Sequence, residues 1–343
     1  MRALRVSPGV PGSEILELDF PMPRRGHKQV LVKTLLLGLC GSDRDITLRP
    51  TPEPLITVGH ESLGEVVAAP ADSDLNIGDR VVGIIRRPCE DICAACAIGR
   101  CDICRSDDLM ERGLFTLDGF GSDYWVSEAE FLVRVPASLG DEAVLLEPLS
   151  SIVKLARRLM ALRVDLPNPR SGALLIAGAG PIGMLAAWHL SARFNRIFLV
   201  DPKPVVDRWP VANAGARIEV LREWRFAPTD VSCFIDCSGD ADAESEGICR
   251  TVPGGIVGVL GIPSVSAGPP LGKAMRTMVF RDINLVASVN ASRSDHEEAG
   301  ASLTNLPDEL KRLLLANFIT PNEWPLWMSG SLNRALKTIV RFS

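Results

Sequence analysis

The chain lacks the features that mark membrane, secreted and nucleic-acid-binding proteins. No apolar run reaches the ~18 residues of a membrane span, and the first residues lead into an alternating strand pattern instead of the apolar core of a signal peptide. Its 37 lysines and arginines are scattered and are outnumbered by 42 acidic residues, which gives a formal net charge of -5. We therefore expect a cytoplasmic protein with neither a membrane nor a nucleic-acid partner.

Tyrosine is scarce as well. The single tyrosine, Tyr124, is followed four residues later by Glu128, which excludes the Tyr and Lys pair, four residues apart, that short-chain dehydrogenases use. Internal repeats and low-complexity segments are also missing. At 343 residues the chain exceeds what one hydrophobic core usually serves, so we expect two domains.

The pattern of apolar residues changes near residue 151. Before it, short β-branched runs at 29–34, 64–68 and 80–84 are separated by glycine and proline, which predicts an irregular antiparallel barrel. After a helical stretch and a polar, proline-bearing break at 167–172, apolar strands alternate with helices, which predicts a parallel sheet covered on both faces. These strands are expected at 173–177, 197–200, 233–236 and 255–260, and a last one at 336–342 could return to the first domain.

A strand, a glycine-rich turn and a helix follow one another between residues 174 and 186, which is the arrangement that binds a dinucleotide. The glycines permit a tight turn, close approach of a pyrophosphate and close helix packing. The expected cofactor contacts in this turn are Gly178, Gly180, Pro181, Ile182 and Gly183. Asp201 ends the next strand and would accept hydrogen bonds from the adenosine ribose, which favours NAD over NADP, although Lys203 and Arg208 could soften that preference.

Five cysteines lie within sixteen residues. The spacing of Cys89, Cys93, Cys96 and Cys104 lets one short lobe hold a tetrahedral structural Zn²⁺. Cys101 is then a spare thiol, although a set in which it replaces Cys89 remains possible. Such clustering is not what core packing requires, and in a chain of this length it favours metal over disulfides.

A second group of metal-type ligands lies upstream, where Cys40 precedes the pair His60 and Glu61. Catalytic zinc sites combine cysteine, histidine and carboxylate and keep one position open. Each residue alone is a weak signal, because isolated cysteines and histidines are common in protein cores. Together they predict a second metal site of a catalytic kind.

These motifs in this order resemble the zinc-dependent medium-chain dehydrogenase/reductase superfamily. The resemblance runs from Gly-x-Cys-Gly-Ser-Asp and Gly-His-Glu through the cysteine lobe to Gly-x-Gly-Pro-x-Gly, and the segments 86–89, 117–120, 147–149 and 288–291 are similar to its glucose dehydrogenase branch. It implies an α/β protein with a GroES-like catalytic domain at 1–152 and 289–343 and a Rossmann doubly wound sheet at 153–288. It also implies a homo-tetramer or homo-dimer.

The resemblance further implies a ligand set for the catalytic zinc. Cys40 and His60 would bind the metal, with Glu61 or Glu147 as a further ligand, directly or through water. Zinc would lower the pKa of the substrate alcohol, hydride would pass to C4 of the nicotinamide, and Ser42 occupies the place of the hydroxyl that relays the alcohol proton.

Departures from the family concern the substrate. Ile85 stands where glucose dehydrogenases carry an asparagine, and Phe115 stands where a histidine contacts the sugar. Glu111 and Asn290 keep the family's polar types, and Asn290 is also expected to contact the cofactor. Because a site without partners for a buried hydroxyl discriminates against substrates that carry it, we expect a substrate less hydroxylated than glucose, or one with an apolar or charged group.

The sequence thus predicts a zinc-dependent dehydrogenase of secondary alcohols, polyols or sugar-like substrates that prefers NAD, with NADP possible. Two alternatives stay open: an NADPH-dependent carbonyl reductase of a specialised biosynthetic pathway, and a non-catalytic dinucleotide-binding homologue. A zinc-free reductase of the same superfamily is disfavoured, since it would lack Cys40, His60 and Glu61.

Overall fold

A computed structural model describes residues 1–107, 110–162, 172–203, 217–262, 271–332 and 336–342. The chain divides into two compact units. The first unit comprises Met1–Ser150, Asn290–Leu306 and Leu314–Ser343, and the second comprises Ser151–Val289 and Pro307–Leu313. The sequence predicts one domain at 1–152 and 289–343 and another at 153–288. These limits stay a prediction, because compact units need not be independently folding domains. No helix among the described residues is both long and apolar enough to cross a bilayer.

Short strands dominate the part of the chain up to residue 150. The strands are β1 (Ala3–Val6), β2 (Ile15–Glu17), β3 (Gln29–Leu39), β4 (Ile56–Thr57), β5 (Glu61–Ala68), β6 (Arg80–Gly83), β7 (Glu111–Arg112), β8 (Thr116–Leu117), β9 (Tyr124–Glu128) and β10 (Leu132–Arg134). The helices that begin in this part are α1 (Gly41–Asp45) and α2 (Leu146–Leu162).

Strands and helices alternate in the second unit, and the chain then completes the first. The second unit contains β11 (Ala173–Ala177), α3 (Pro181–Leu190), β12 (Arg196–Val200), β13 (Arg217–Leu221), β14 (Val231–Asp236), α4 (Ala241–Arg250), β15 (Thr251–Val259), α5 (Leu271–Arg281) and β16 (Asn284–Ala287). After it come α6 (Arg293–Leu303), α7 (Asp308–Leu314), β17 (Phe318–Ile319), α8 (Trp324–Met328) and β18 (Thr338–Arg341), which belong to the first unit except for α7 up to Leu313.

The first unit is built around the long strand β3. Its main sheet has the order β10-β6-β5-β3-β18-β17, and β9 also pairs with β3. Buried and half-buried residues alternate along the first half of β3, which is the pattern of a strand with one face on a core. Phe120, Trp125 and Trp324 pack in that core. The pairing of β18 with β3 is antiparallel, so the predicted return of the last strand is confirmed.

The second unit is a six-stranded sheet with the order β13-β12-β11-β14-β15-β16, and every pairing in it is parallel. In chain order this is 3-2-1-4-5-6, the order of a doubly wound dinucleotide fold. The predicted α/β class is confirmed, and β11 coincides with the predicted strand 173–177. Within the predicted break at 167–172, residues 167–171 lie outside the described part of the chain, as does Arg208.

Candidate functional site

Four cysteines of the first unit converge on one point. The sulfur atoms of Cys89, Cys93, Cys96 and Cys104 all lie within 4.8 Å of one another. The Cys89 to Cys96 and Cys93 to Cys104 sulfur distances are 3.8 and 3.9 Å. Zn–S bonds of about 2.3 Å in a tetrahedron place sulfur atoms about 3.8 Å apart. The donor set and its geometry therefore fit a structural zinc ion.

Local backbone structure explains why Cys101 is left out. Short 3-10 turns begin at Cys96 and at Cys101, and Gly99 between them has the left-handed φ of 74° that favours glycine. Cys101 is buried but does not belong to the converging set. Backbone N–H groups of Arg105 and Cys96 lower the pKa of the Cys93 thiol to about 6, which favours the thiolate that binds metal.

The second cluster lies where β3 ends and β5 begins. Cys40 caps the N-terminus of α1, and its sulfur is 3.1 Å from Nε2 of His60. His60 precedes β5, Glu61 begins it and Glu147 is the second residue of α2. One ligand atom from each of His60, Glu61 and Glu147 lies within 4.8 Å of the others. The structure thus brings together the four residues that the sequence singles out.

Asp43 is a residue of the candidate site that the sequence reasoning missed. Its Oδ1 is 3.2 Å from Nδ1 of His60, and its Oδ2 accepts the N–H of Cys40 at 2.8 Å. A carboxylate on the far nitrogen of a histidine fixes the ring so that the other nitrogen faces the metal. Burial alone would lower the pKa of His60, but the charges of Cys40 and Asp43 outweigh it and raise that pKa. The signal was present, since Asp43 stands at the capping-box distance from Cys40.

Lys337 is a second residue that was missed. Its ammonium group forms a short ion pair with Oε2 of Glu61, and both side chains are almost completely buried. Gly38 makes room for this pair, because a Cβ added at Gly38 would lie 2.2 Å from Oε2 of Glu61. No local sequence motif predicts that Lys337, near the end of the sequence, contacts this site.

The charge of the cluster also fits a dication. Cys40, Asp43, Glu61 and Glu147 are acidic groups, whereas Lys337 is the basic side chain paired among them. Burial raises the pKa of Glu147 to about 7; His60 and Lys337 oppose this, while Glu61 and Glu111 add to it. Burial and nearby negative charge both disfavour the ionised form of a carboxyl group. A bound cation would offset both effects and favour the ionised form.

The predicted substrate residues lie in the same unit. Oε1 of Glu111 accepts a hydrogen bond from Nδ2 of Asn290 at 2.5 Å and is 3.0 Å from Nη2 of Arg86. Asn290 is buried and has the left-handed φ of 55°. Ile85 packs in the core of the unit, and the guanidinium group of Arg49 lies 4.0 Å from the centre of the Phe115 ring.

Ser42, the predicted proton relay, is half-buried in α1 two residues after Cys40. Its relay role stays a prediction.

The glycine turn of the second unit has the geometry that a dinucleotide requires. Gly178 has a φ of 93°, and a Cβ added at Gly183 would lie 1.9 Å from the carbonyl oxygen of Gly178. A Cβ added at Gly180 would meet nothing within 4 Å, which leaves open space before the first turn of α3. Pro181 and Ile182 begin that helix. The turn lies between β11 and β14, where the strand order reverses and dinucleotides bind.

Asp201 follows β12 at the same edge of the sheet. Its carboxylate accepts the N–H of Ala179 and the N–H of Lys203, each at 2.9 Å. These two bonds hold it beside the glycine turn.

Two family models match the chain. One is described as the glucose dehydrogenase C-terminus and matches residues 140–342, and the other is described as the alcohol dehydrogenase GroES-like domain and matches residues 26–137. A glucose 1-dehydrogenase of Thermoproteus tenax is 33% identical over 329 residues, which are 92% of each chain. Glucose 1-dehydrogenase 1 of Vulcanisaeta moutnovskia is 40% identical over 94% of each chain.

A solved structure shows the same fold. It is a Haloferax mediterranei glucose dehydrogenase in complex with NADP, Zn and gluconolactone, with a TM-score of 0.85 and 24% sequence identity. The match covers 100% of this chain and 99% of that one.

Proposed function

The chain belongs to the glucose dehydrogenase branch of the zinc-dependent medium-chain dehydrogenases, and we propose that its substrate is a sugar or sugar-like polyol less hydroxylated than glucose. It is an oxidoreductase that uses zinc and a nicotinamide dinucleotide to transfer hydride to or from an alcohol or sugar-like small molecule. Two groups of metal-type ligand atoms carry this assignment: both contain His60, one with Cys40 and the other with Glu61 and Glu147. The two alternative functions gain no support from the relatives described above.

Cys40, His60 and Glu147 hold the catalytic zinc in this proposal. Glu61 forms a buried ion pair with Lys337, which favours Glu147 as the carboxylate that binds the zinc directly. A zinc ion in such a site supplies a Lewis acid that lowers the pKa of the substrate hydroxyl. Asp43 holds the His60 ring in place, and Ser42 passes the hydroxyl proton towards solvent. Cys89, Cys93, Cys96 and Cys104 hold the structural zinc.

The cofactor in this proposal is NAD. Its pyrophosphate binds at the N-terminus of α3, where the first N–H groups of a helix have no partner within the helix. The carboxylate of Asp201 faces the adenosine ribose, accepts its hydroxyls and repels a 2'-phosphate. The fixed position of Asp201 between two backbone N–H groups supports this preference.

The identity of the pocket residues supports the substrate proposal. Relatives at 33% and 40% identity are named as glucose 1-dehydrogenases, but here the apolar side chains of Ile85 and Phe115 cannot make the hydrogen bonds to glucose that asparagine and histidine would make at these positions. Glu111 and Asn290 still offer polar contacts. We also propose a homo-dimer or homo-tetramer and a cytoplasmic location, in which the nine cysteines remain reduced.

The test is NADH formation across sugars, polyols and simple secondary alcohols with protein of known zinc content, repeated with NADP⁺. The Cys40→Ala variant should lose one zinc per chain and all activity. Cys249→Ala is the matched control, because that thiol contacts Thr277 in the second unit. Absence of turnover with both zinc ions and NAD(H) bound would contradict the enzyme assignment. Turnover of free glucose that equals the best alcohol would contradict the substrate proposal.

A further inference from the structure

Arg86 is a buried cation whose hydrogen bonds are incomplete. It is 7% exposed, and its Nη2 atom is 3.0 Å from Oε1 of Glu111. Its Nε and Nη1 atoms are buried and have no hydrogen-bond partner in the described part of the chain. Buried donors are almost always paired in native proteins, so two unpaired donors on one guanidinium group require an explanation.

The neighbouring Arg87 provides the contrast. It is 8% exposed, and its Nη1 and Nη2 atoms donate to the carbonyl oxygen of Ile84 and to Oγ of Ser127. The Phe131 ring lies 4.2 Å from its guanidinium carbon. Arg87 therefore stabilises the fold with both terminal nitrogens, whereas only one nitrogen of Arg86 contacts another residue of the fold, through its ion pair with Glu111.

The position of Arg86 relates it to the predicted substrate residues. Arg86 forms a β-bridge with Glu111, which fixes its backbone. The same Glu111 oxygen accepts Nδ2 of Asn290, so three buried polar residues form one group. Glu111 and Asn290 are two of the residues that the sequence predicts to contact the substrate, and both are bonded or paired within this group. Arg86 therefore belongs to the candidate substrate residues.

The charge balance of the group selects the kind of acceptor. Glu111 already neutralises the positive charge of Arg86. An anionic group would add negative charge to this buried region, whereas a hydroxyl or ring oxygen accepts a hydrogen bond without it. Nε and Nη1 point their hydrogens in different directions, which suits two separate oxygen atoms.

We propose that Arg86 is a specificity residue that donates hydrogen bonds to two oxygen atoms of a neutral polyhydroxylated substrate, away from the reacting carbon. This inference rests on the proposed function and deepens it. Ile85 and Phe115 remove two polar contacts from the pocket, and Arg86 with Asn290 supplies those that remain. A substrate that lacks the two oxygens leaves the buried donors unpaired and is discriminated against.

The experiment compares Arg86→Lys with Arg87→Lys in zinc-loaded protein that contains NADH. Calorimetry measures the Kd of the sugar or polyol that binds the wild type best, of its deoxy analogues and of a simple secondary alcohol. Arg86→Lys retains a charge opposite Glu111, yet it should weaken binding of the polyol roughly 100-fold and that of the simple alcohol less than threefold. Arg87→Lys should lower thermal stability and leave both Kd values unchanged.

Chemical rescue provides an independent readout. Methylguanidinium should restore polyol binding to Arg86→Ala but not change binding by Arg87→Ala. Equal loss of polyol and simple-alcohol binding in Arg86→Lys, or a wild type that binds no polyol, would overturn the role of Arg86. Arg86-dependent polyol binding without any hydride transfer would support this inference and contradict the proposed function alone.

Discussion

Gly180→Ala should separate stability from cofactor affinity. Gly180 has φ and ψ of -74° and -176°, which any residue adopts, and a Cβ at this position meets nothing within 4 Å. Because alanine fits without strain and restricts the unfolded chain, the variant should be as stable as the wild type or more stable by about 0.4 to 1 kcal/mol.

The added methyl group should nevertheless weaken NAD binding. It occupies the open space before the first turn of α3, through which the pyrophosphate must approach the N–H groups at the start of the helix. Hydrogen bonds to charged groups contribute about 1.5 to 3 kcal/mol each. Loss of one such bond is about 1.5 to 3 kcal/mol, which corresponds to a Kd higher by a factor of about 10 to 140.

The assay is NADH binding followed by fluorescence, beside urea unfolding of the same preparations. Gly183→Ala should behave differently, because its Cβ would lie 1.9 Å from a backbone oxygen, so it should lose both stability and binding. Gly272→Ala is the control: its Cβ also meets nothing within 4 Å, and it should leave the Kd unchanged. A Kd for Gly180→Ala within twofold of the wild type would refute the assignment of this turn to the pyrophosphate.

Three further predictions concern the metal lobe, a buried ion pair and acid stability. Cys104→Ser should lose one zinc per chain by elemental analysis, whereas Cys101→Ser should keep both, because only the former sulfur belongs to the converging set; equal zinc loss would contradict this assignment. Lys337→Met should lower the free energy of unfolding by about 3 to 5 kcal/mol in a urea titration, because it leaves a buried carboxylate without its partner; a loss below about 1 kcal/mol would show that the pair is dispensable. Burial, with Arg193 adding to it, lowers the pKa of His189 from 6.5 to about 4, so the unfolded chain takes up that proton first and stability falls as pH drops from 6.5 to 4. His189→Gln should remove up to about 3 kcal/mol of this loss, and an unchanged pH profile of unfolding would count against it.

The cofactor turn could be predicted from the sequence because its determinants are local. Gly178, Gly180 and Gly183 lie within six residues, and their roles depend on one strand, one turn and one helix. The cysteine lobe was predictable for the same reason, although sequence spacing alone did not decide between Cys89 and Cys101. That choice depends on the path of two short 3-10 turns, which spacing does not encode.

Two partners of predicted site residues, Lys337 and Arg86, could not be predicted in this way, because tertiary pairing of strands brings them to the site. Lys337 reaches Glu61 only because β18 pairs with β3, and Arg86 reaches Glu111 through a single β-bridge. Hydrophobic pattern and motif spacing do not predict which two buried charged residues will form an ion pair.

A physical rule nevertheless links the residues that were missed. A buried ionised group is costly unless it is paired and hydrogen-bonded, so each ionisable site residue implies an opposite charge nearby. His60 implies Asp43, Glu61 implies Lys337 and Glu111 implies Arg86. Oδ2 of Asp43 accepts the N–H of Cys40 and its Oδ1 lies 3.2 Å from Nδ1 of His60, so both oxygens face partners within the fold. Arg86 retains two buried donors after folding, and for this reason its remaining hydrogen bonds belong to the substrate.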